Sequence, residues 1–122
     1  MMETKPNFRS KGNQYEELAE KFLLEKHFEI IARNFHIHHG EIDIIAKEKT
    51  TLVFVEVKAR TNDTFGSPEE SITPKKQQAL RKTADGFIFK HPEIQFIESR
   101  FDVIAIEEHN GKTEIRHLID AF

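Results

Sequence analysis

The chain has no cysteine and no tryptophan, only five glycines and four prolines, and no long apolar run. Without cysteine there is no disulfide to staple the fold and no thiolate metal site, so any metal has to be held by oxygen or nitrogen. Without a long apolar run there is neither a transmembrane helix nor a signal-peptide pattern, which sets the expectation of a soluble, cytoplasmic chain with no membrane partner. An excess of positive charge is missing too. With 18 Lys and Arg against 21 Asp and Glu, the net charge is -3. That counts against coating nucleic acid through bulk charge, because non-specific affinity grows with the phosphates neutralised. A local basic rim around an acidic centre remains compatible with it. Internal repeats and low-complexity tracts are also lacking.

What is present fits one domain. A chain of 122 residues buries roughly two-thirds of its unfolded surface and stands without staples. Residues 1–12 carry Lys5, Arg9 and Lys11 with almost no apolar pattern, so they are expected to be a flexible arm ahead of a domain over 13–122.

The informative stretch runs from Glu41 to Arg60. It reads as two strands, Glu41–Lys47 and Thr51–Arg60, rich in Ile, Val and Phe and joined by a tight turn about Lys49 and Thr50. Strand side chains alternate between faces. This places Glu41, Asp43 and Ile45 on one side with Leu52, Phe54, Glu56, Lys58 and Arg60, and Ile42, Ile44 and Ala46 on the other with Val53, Val55 and Val57. The apolar register pairs Ile45 with Phe54, Ala46 with Val53, Ile44 with Val55 and Ile42 with Val57. Asp43 then faces Glu56, and Glu41 faces Lys58. Opposed Cβ atoms lie about 5 Å apart, where like charges destabilise a pair. Two such carboxylates share a proton or are neutralised by a cation. Hard oxygen ligands at this separation suit Mg²⁺ or Mn²⁺, completed by water and phosphate oxygens. Lys58 adds a positive charge on the same face. A carboxylate pair serving structure alone, with no ligand, is the competing reading.

Asp43 followed by Glu56-Val57-Lys58 resembles the Asp...(Asp/Glu)-x-Lys signature of restriction-endonuclease-like nucleases. The flanking Gly40-Glu-Ile-Asp43 and Phe54-Val-Glu-Val-Lys58-Ala-Arg60 are similar to the uncharacterised bacterial family called YraN-like or UPF0102, related to archaeal Holliday-junction resolvases. Glu16-x-x-Ala19-x-x-x-Leu23, Arg33-Asn34-Phe35, Phe65-Gly66-x-Pro68, Lys76, Arg100-Phe101-Asp102-Val103 and Ala121-Phe122 extend the resemblance over nearly the whole chain. The signature alone is short and weakly specific; joined to these blocks it is strong. The resemblance implies a restriction-endonuclease-like α/β core and a Mg²⁺- or Mn²⁺-dependent DNA endonuclease, with branched DNA among its substrates and a two-fold homodimer by analogy. In it Asp43 and Glu56 hold the metal, Lys58 supports the nucleophile or the charge growing on phosphorus, and Glu16 orients a water or a metal. A nucleic-acid-binding module that keeps the fold without cutting is the alternative.

The remaining elements frame that centre. Residues 13–27 form an amphipathic helix with Tyr15, Leu18, Ala19, Phe22 and Leu23 on one stripe. Glu16 lies at the stripe's edge, yet Asn13 with Glu16 three residues later is also a capping-box pattern. Residues 28–35 form a first strand, and Arg33 at its end either contacts phosphate or is an inert surface group. His36, His38 and His39 invite a zinc reading but fit a solvated connection better. Residues 61–72 have loop chemistry and are either a flap over the site or an ordinary connection. Thr73-Pro74 starts a second helix, capped by Thr73 and ending before His91. Lys76 and Gln77, with Arg81 and Lys82, could wall a groove that neutralises DNA phosphates, with Arg60 as a further contact; solvated side chains are the bland alternative. Residues 99–107 and 113–118 are two more strands joined by a turn at 109–112. Asp102 among them is better read as a structural ion-pair member, with Arg33 or Arg100, than as a ligand. The order αβββαββ makes a mixed five-stranded sheet flanked by helices.

Overall fold

A computed structural model of the protein describes residues 10–38, 40–61 and 66–122. Its elements follow the expected order: α1 (Ser10–Glu25), β1 (Glu29–Ile37), β2 (Gly40–Glu48), β3 (Thr51–Arg60), a short 3-10 turn (Pro68–Ser71), α2 (Pro74–Lys90), β4 (Glu98–His109) and β5 (Lys112–Leu118). The five strands lie in sequence order in one sheet, antiparallel except for β3 and β4, which run parallel because α2 returns the chain across the sheet. The α/β architecture with a mixed sheet therefore stands as expected.

Two apolar clusters fix the layers. Ile45, Leu52, Phe54 and Phe101 pack under Leu80, Ala84 and Phe87 of α2. Ile44, Ala46, Val53 and Val55 pack with Ala19 and Leu23 of α1. Each helix thus covers one face of β2 and β3, and the period-2 alternation of the hairpin supplies both.

The helix ends have local causes. Thr73 caps α2, its hydroxyl accepting from the Lys76 N–H at 3.3 Å with proline in the first turn. At the end of α1, His27 takes a left-handed φ of 71°. The Phe28 N–H then reaches the Leu23 carbonyl and the His27 N–H the Leu24 carbonyl, while Phe28 and Leu23 share one core cluster.

Several boundaries and phases differ from the sequence reading. α1 begins at Ser10, so residues 10–12 of the expected arm are helical; residues 1–9 lie outside the described ones. Asn13 is consequently inside the helix and cannot be its N-cap. Its amide instead donates to Glu17 and accepts from Arg33, which removes the capping-box explanation of Glu16. β1 continues through His36 and Ile37, residues expected in a connection. Ile42 packs in the α2-side cluster with Ile45 rather than with Ile44 and Ala46. The alternation therefore slips once around Asp43, opposite Asn34 and its left-handed φ of 53°. Among the described residues no helix is long and apolar enough to cross a membrane.

Candidate active site

The hairpin turn sits at Lys49, with φ at 55°, and the ladder pairs Glu48 with Thr51 up to Ile44 with Val55 in the expected register. Beyond that point the regular pairing stops. β3 stays bonded to β4 along its whole length, so it is β2 that leaves. The Val57 N–H, freed from a ladder partner, donates to Asp43 Oδ2 at 2.9 Å. The carboxylate thus fills the gap where the strands part, and holds itself beside Glu56.

This opening leads into a cavity of about 190 Å³ on the α2 side, whose polar lining comes from Glu41, Glu56, Lys58, Lys76 and Thr83. Glu56 Oε2 lies 3.9 Å from Lys58 Nζ, a loose pair. Glu56 Oε1 is buried and has no hydrogen-bond partner. Buried polar atoms are almost always satisfied, and an unsatisfied carboxylate oxygen carries a desolvation penalty of roughly 1–3 kcal/mol or more. Burial pushes Glu56 up to about 8, with the Asp43 charge adding to it and Lys58 opposing. Burial likewise raises Asp43 to about 6, aided by Glu16 and Glu41 and opposed by the Val57 N–H and Lys58. The two acids titrate as a pair that resists carrying two negative charges.

Oxygen ligands of this type, one with a free buried lone pair, fit a hard divalent cation whose remaining positions are filled by water or phosphate. Asp43 and Glu56 would hold it. Among the described residues no group of three His, Cys, Asp or Glu side chains forms a ready-made cage. His36 sits 3.4 Å from Glu41 on an exposed edge, and His39 lies outside the described residues.

The other sequence candidates divide. Lys76 joins the cavity wall. Glu16 is near enough to Asp43 to raise it, but it sits on α1, held 3.5 Å from Arg33. Arg33 itself is directed to α1: it donates to Glu20 at 3.0 Å and to Asn13 at 3.1 Å, tying the helix to β1. Gln77 donates to the Ile72 carbonyl at 3.3 Å and anchors the start of α2. Arg60 stands at the far end of β3, beside Glu107 of β4. Arg81 lies over the rings of Phe101 and Phe122, pinning the chain end where Ala121 N–H donates to the Phe101 carbonyl. Asp102 pairs with Arg100, as one of the two expected partners. The proposed flap at 61–72 lies partly outside the described residues; its last part is the 3-10 turn, tied to β5 by a two-bond Arg116–Glu69 pair.

Two wall residues had no place among the sequence candidates. A Cβ at Gly40 would collide with Thr83 Oγ1, so only glycine lets β2 approach α2 this closely beside the site. Thr83 in turn gives its hydroxyl to the Ala79 carbonyl at 2.9 Å. The sole sequence signal was the glycine directly ahead of Glu41-Ile-Asp43.

The model of the uncharacterised protein family UPF0102 matches residues 15–106. A UPF0102 protein of Syntrophomonas wolfei is 43% identical over 114 residues, covering 93% of this chain and 98% of its own. One from Natranaerobius thermophilus is 44% identical over 118 residues, covering 95% and 99%, and one from Aliivibrio fischeri strain MJ11 is 42% identical over 106 residues, covering 86% of each. The match thus spans both acids, the lysine beside them and the helix wall, and the chain belongs to the UPF0102 family.

Proposed function

We propose that this chain is a metal-dependent DNA endonuclease that hydrolyses phosphodiester bonds, with Mg²⁺ or Mn²⁺ as its cofactor. The observation that carries the reading is the buried Glu56 Oε1, which meets no hydrogen-bond donor among the described residues and stands against Asp43, with both acids pushed upward and Lys58 only loosely paired at 3.9 Å. Such a pair is costly unless a ligand neutralises it. The αβββαββ order with the acids where β2 and β3 part is that expected of a restriction-endonuclease-like core.

Asp43 is oriented by the Val57 N–H, and its carboxyl lies close enough to that of Glu56 to share a proton with it, so one cation could take the place of that proton. A bound divalent ion supplies positive charge against the phosphate and an acidified water. Lys58, on the same face as Glu56, offsets charge developing on phosphorus or takes part in deprotonating the attacking water. Lys76 across the cavity holds a phosphate oxygen of the substrate strand. Glu16 is kept by Arg33 at the rim, where it strengthens the negative field at Asp43. The resemblance to junction-cutting enzymes adds branched DNA, a two-fold dimer and a cytoplasmic setting to the proposal.

Incubating the full-length protein with Mg²⁺ or Mn²⁺ and a panel of duplex, single-stranded, flap and four-way-junction DNA tests it. Cleavage of at least one substrate, lost in Asp43→Ala, is the expected result. Binding without cleavage anywhere in the panel would establish a binding module instead. That second reading draws on the engagement of Glu16 by Arg33 and the lack of a third acidic ligand among the described residues.

A further inference from the structure

Beside the acidic cavity lies a second, larger one of about 480 Å³, lined by Ile37, His38, Gly40, Ala79, Lys82 and Thr83. The two share Gly40, Ala79 and Thr83 as a common wall, so they are neighbouring compartments of one groove between the β1–β2 end and α2. Their chemistry differs. The first is edged by carboxylates, whereas among the described residues no carboxylate lines the second. Its walls are apolar at Ile37, Ala79 and Gly40, and its charge comes from Lys82, with the His38 ring as a further polar group. Lys82 follows Lys76 by six residues, about 9 Å along the helix axis. Both lysines are exposed.

We propose that this second compartment receives one unpaired nucleotide of the DNA strand whose phosphate lies in the acidic cavity. The inference rests on the nuclease reading and names its substrate: DNA with an unpaired nucleotide beside the cut. A slot walled by a strand end and a helix has room for a single base, and a base reaches such a slot only after leaving the stack. Apolar walls take the base faces, while Lys82 and His38 meet the flanking phosphate, the division of labour usual for small-ligand pockets. Lys76 and Lys82 then track successive parts of one backbone. With no carboxylate lining it among the described residues, this compartment spares a phosphate the repulsion it meets next door.

Full-length protein is titrated, with Ca²⁺ present, into two duplexes that differ only by one unpaired 2-aminopurine nucleotide. Anisotropy reads affinity and 2-aminopurine emission reads the base's surroundings. The unpaired duplex is expected to bind about tenfold tighter, with an emission change on binding. Lys82→Ala is expected to erase most of that preference, whereas Lys76→Ala weakens both duplexes alike. Equal affinity for the two duplexes, or loss by the same factor in Lys82→Ala, overturns the assignment. Cleavage is followed in parallel with Mg²⁺. Preference without cleavage of any substrate would sink the nuclease reading and leave this nucleotide site standing; cleavage without preference would sink the nucleotide site alone; no DNA binding at all would sink both.

Discussion

Glu56 and Asp102 occupy adjacent strands, and Glu56 pairs in register with Val103, the residue after Asp102. Yet the two acids face opposite sides of the sheet and live in opposite environments. Asp102, fully buried, receives Arg100 through two bonds at 2.9 and 3.1 Å, the His117 ring at 2.7 Å and the Asp120 N–H at 2.9 Å. Burial pushes its carboxyl up, but the bonds from His117, Arg100 and Asp120 outweigh this and hold it below the usual range. Lys26 Nζ stands 3.2 Å from His117 Nδ1. An ammonium only donates, so that nitrogen accepts and the other ring N–H points at Asp102. Glu56 has one loose lysine and a bare oxygen. A buried acid with every lone pair answered holds a fold together. One that meets only a loose lysine and a second acid is left to share a proton with that acid or to take up a cation.

The sharpest way to break this contrast is to swap the expected penalties. Asp102→Asn puts an amide that can itself donate among four N–H groups at a fully buried position and leaves half-buried Arg100 to Glu48 alone, at 3.0 Å; it should cost roughly 3 kcal/mol of stability, read by urea unfolding at neutral pH. Glu56→Gln should do the reverse in metal-free protein. Its carboxyl is raised in the folded state, so the folded form holds a proton that the unfolded chain releases. Stability is then complete below about pH 4 and is lost as pH rises toward about 8. In EDTA near pH 8, Glu56→Gln is therefore expected to be more stable than the parent by roughly 1–3 kcal/mol, with no difference near pH 4. Mn²⁺ should stabilise the parent at high pH by mass action and leave the variant nearly unmoved. Equal pH profiles for the two proteins would remove the distinction between the two acids.

The sequence disclosed these two centres unequally. Ile44 to Glu48 against Thr51 to Val55 could be placed because unbroken apolar alternation admits only one register; a one-residue slip would turn every side chain over. That reasoning also set Asp43 near Glu56. It failed at Ile42, because alternation presumes a continuous ladder and β2 leaves β3 at the acids. The bond from Val57 N–H to Asp43 is a product of that parting and has no sequence signature. Thr73-Pro74 marked α2 through its own local chemistry. The start of α1 did not, since Lys11 and Gly12 carry no apolar period and Asn13 mimics a cap. Arg33 reads as a free cation in one dimension; only folding brings Asn13, Glu16 and Glu20 around it. Likewise Asp102 could be paired with Arg100, two residues away on the same strand face, while His117 and Asp120 come from β5 and the turn beyond.

Gly40 offers a smaller but more discriminating test, since it lies in the wall shared by the two compartments of the groove. Adding a Cβ there drives Thr83 Oγ1 aside, and that hydroxyl can yield only by giving up the Ala79 carbonyl. The loss of one such bond costs about 1 kcal/mol, so Gly40→Ala should lower stability by about that much. Combining it with Thr83→Ala removes the colliding oxygen, although Thr83 Cβ at 3.1 Å from the added carbon still crowds it. The double variant is therefore expected to recover part of the stability, with a coupling between the two positions readable in a double-mutant cycle. On the nuclease reading, cleavage should suffer more than stability does, because α2 carries Lys76 and any outward shift of the helix moves that lysine from the acids. A loss of several kcal/mol from Gly40→Ala would instead place this wall with Asp102 among the parts that hold the fold, and would draw the boundary between site and scaffold closer to the acids than the geometry puts it.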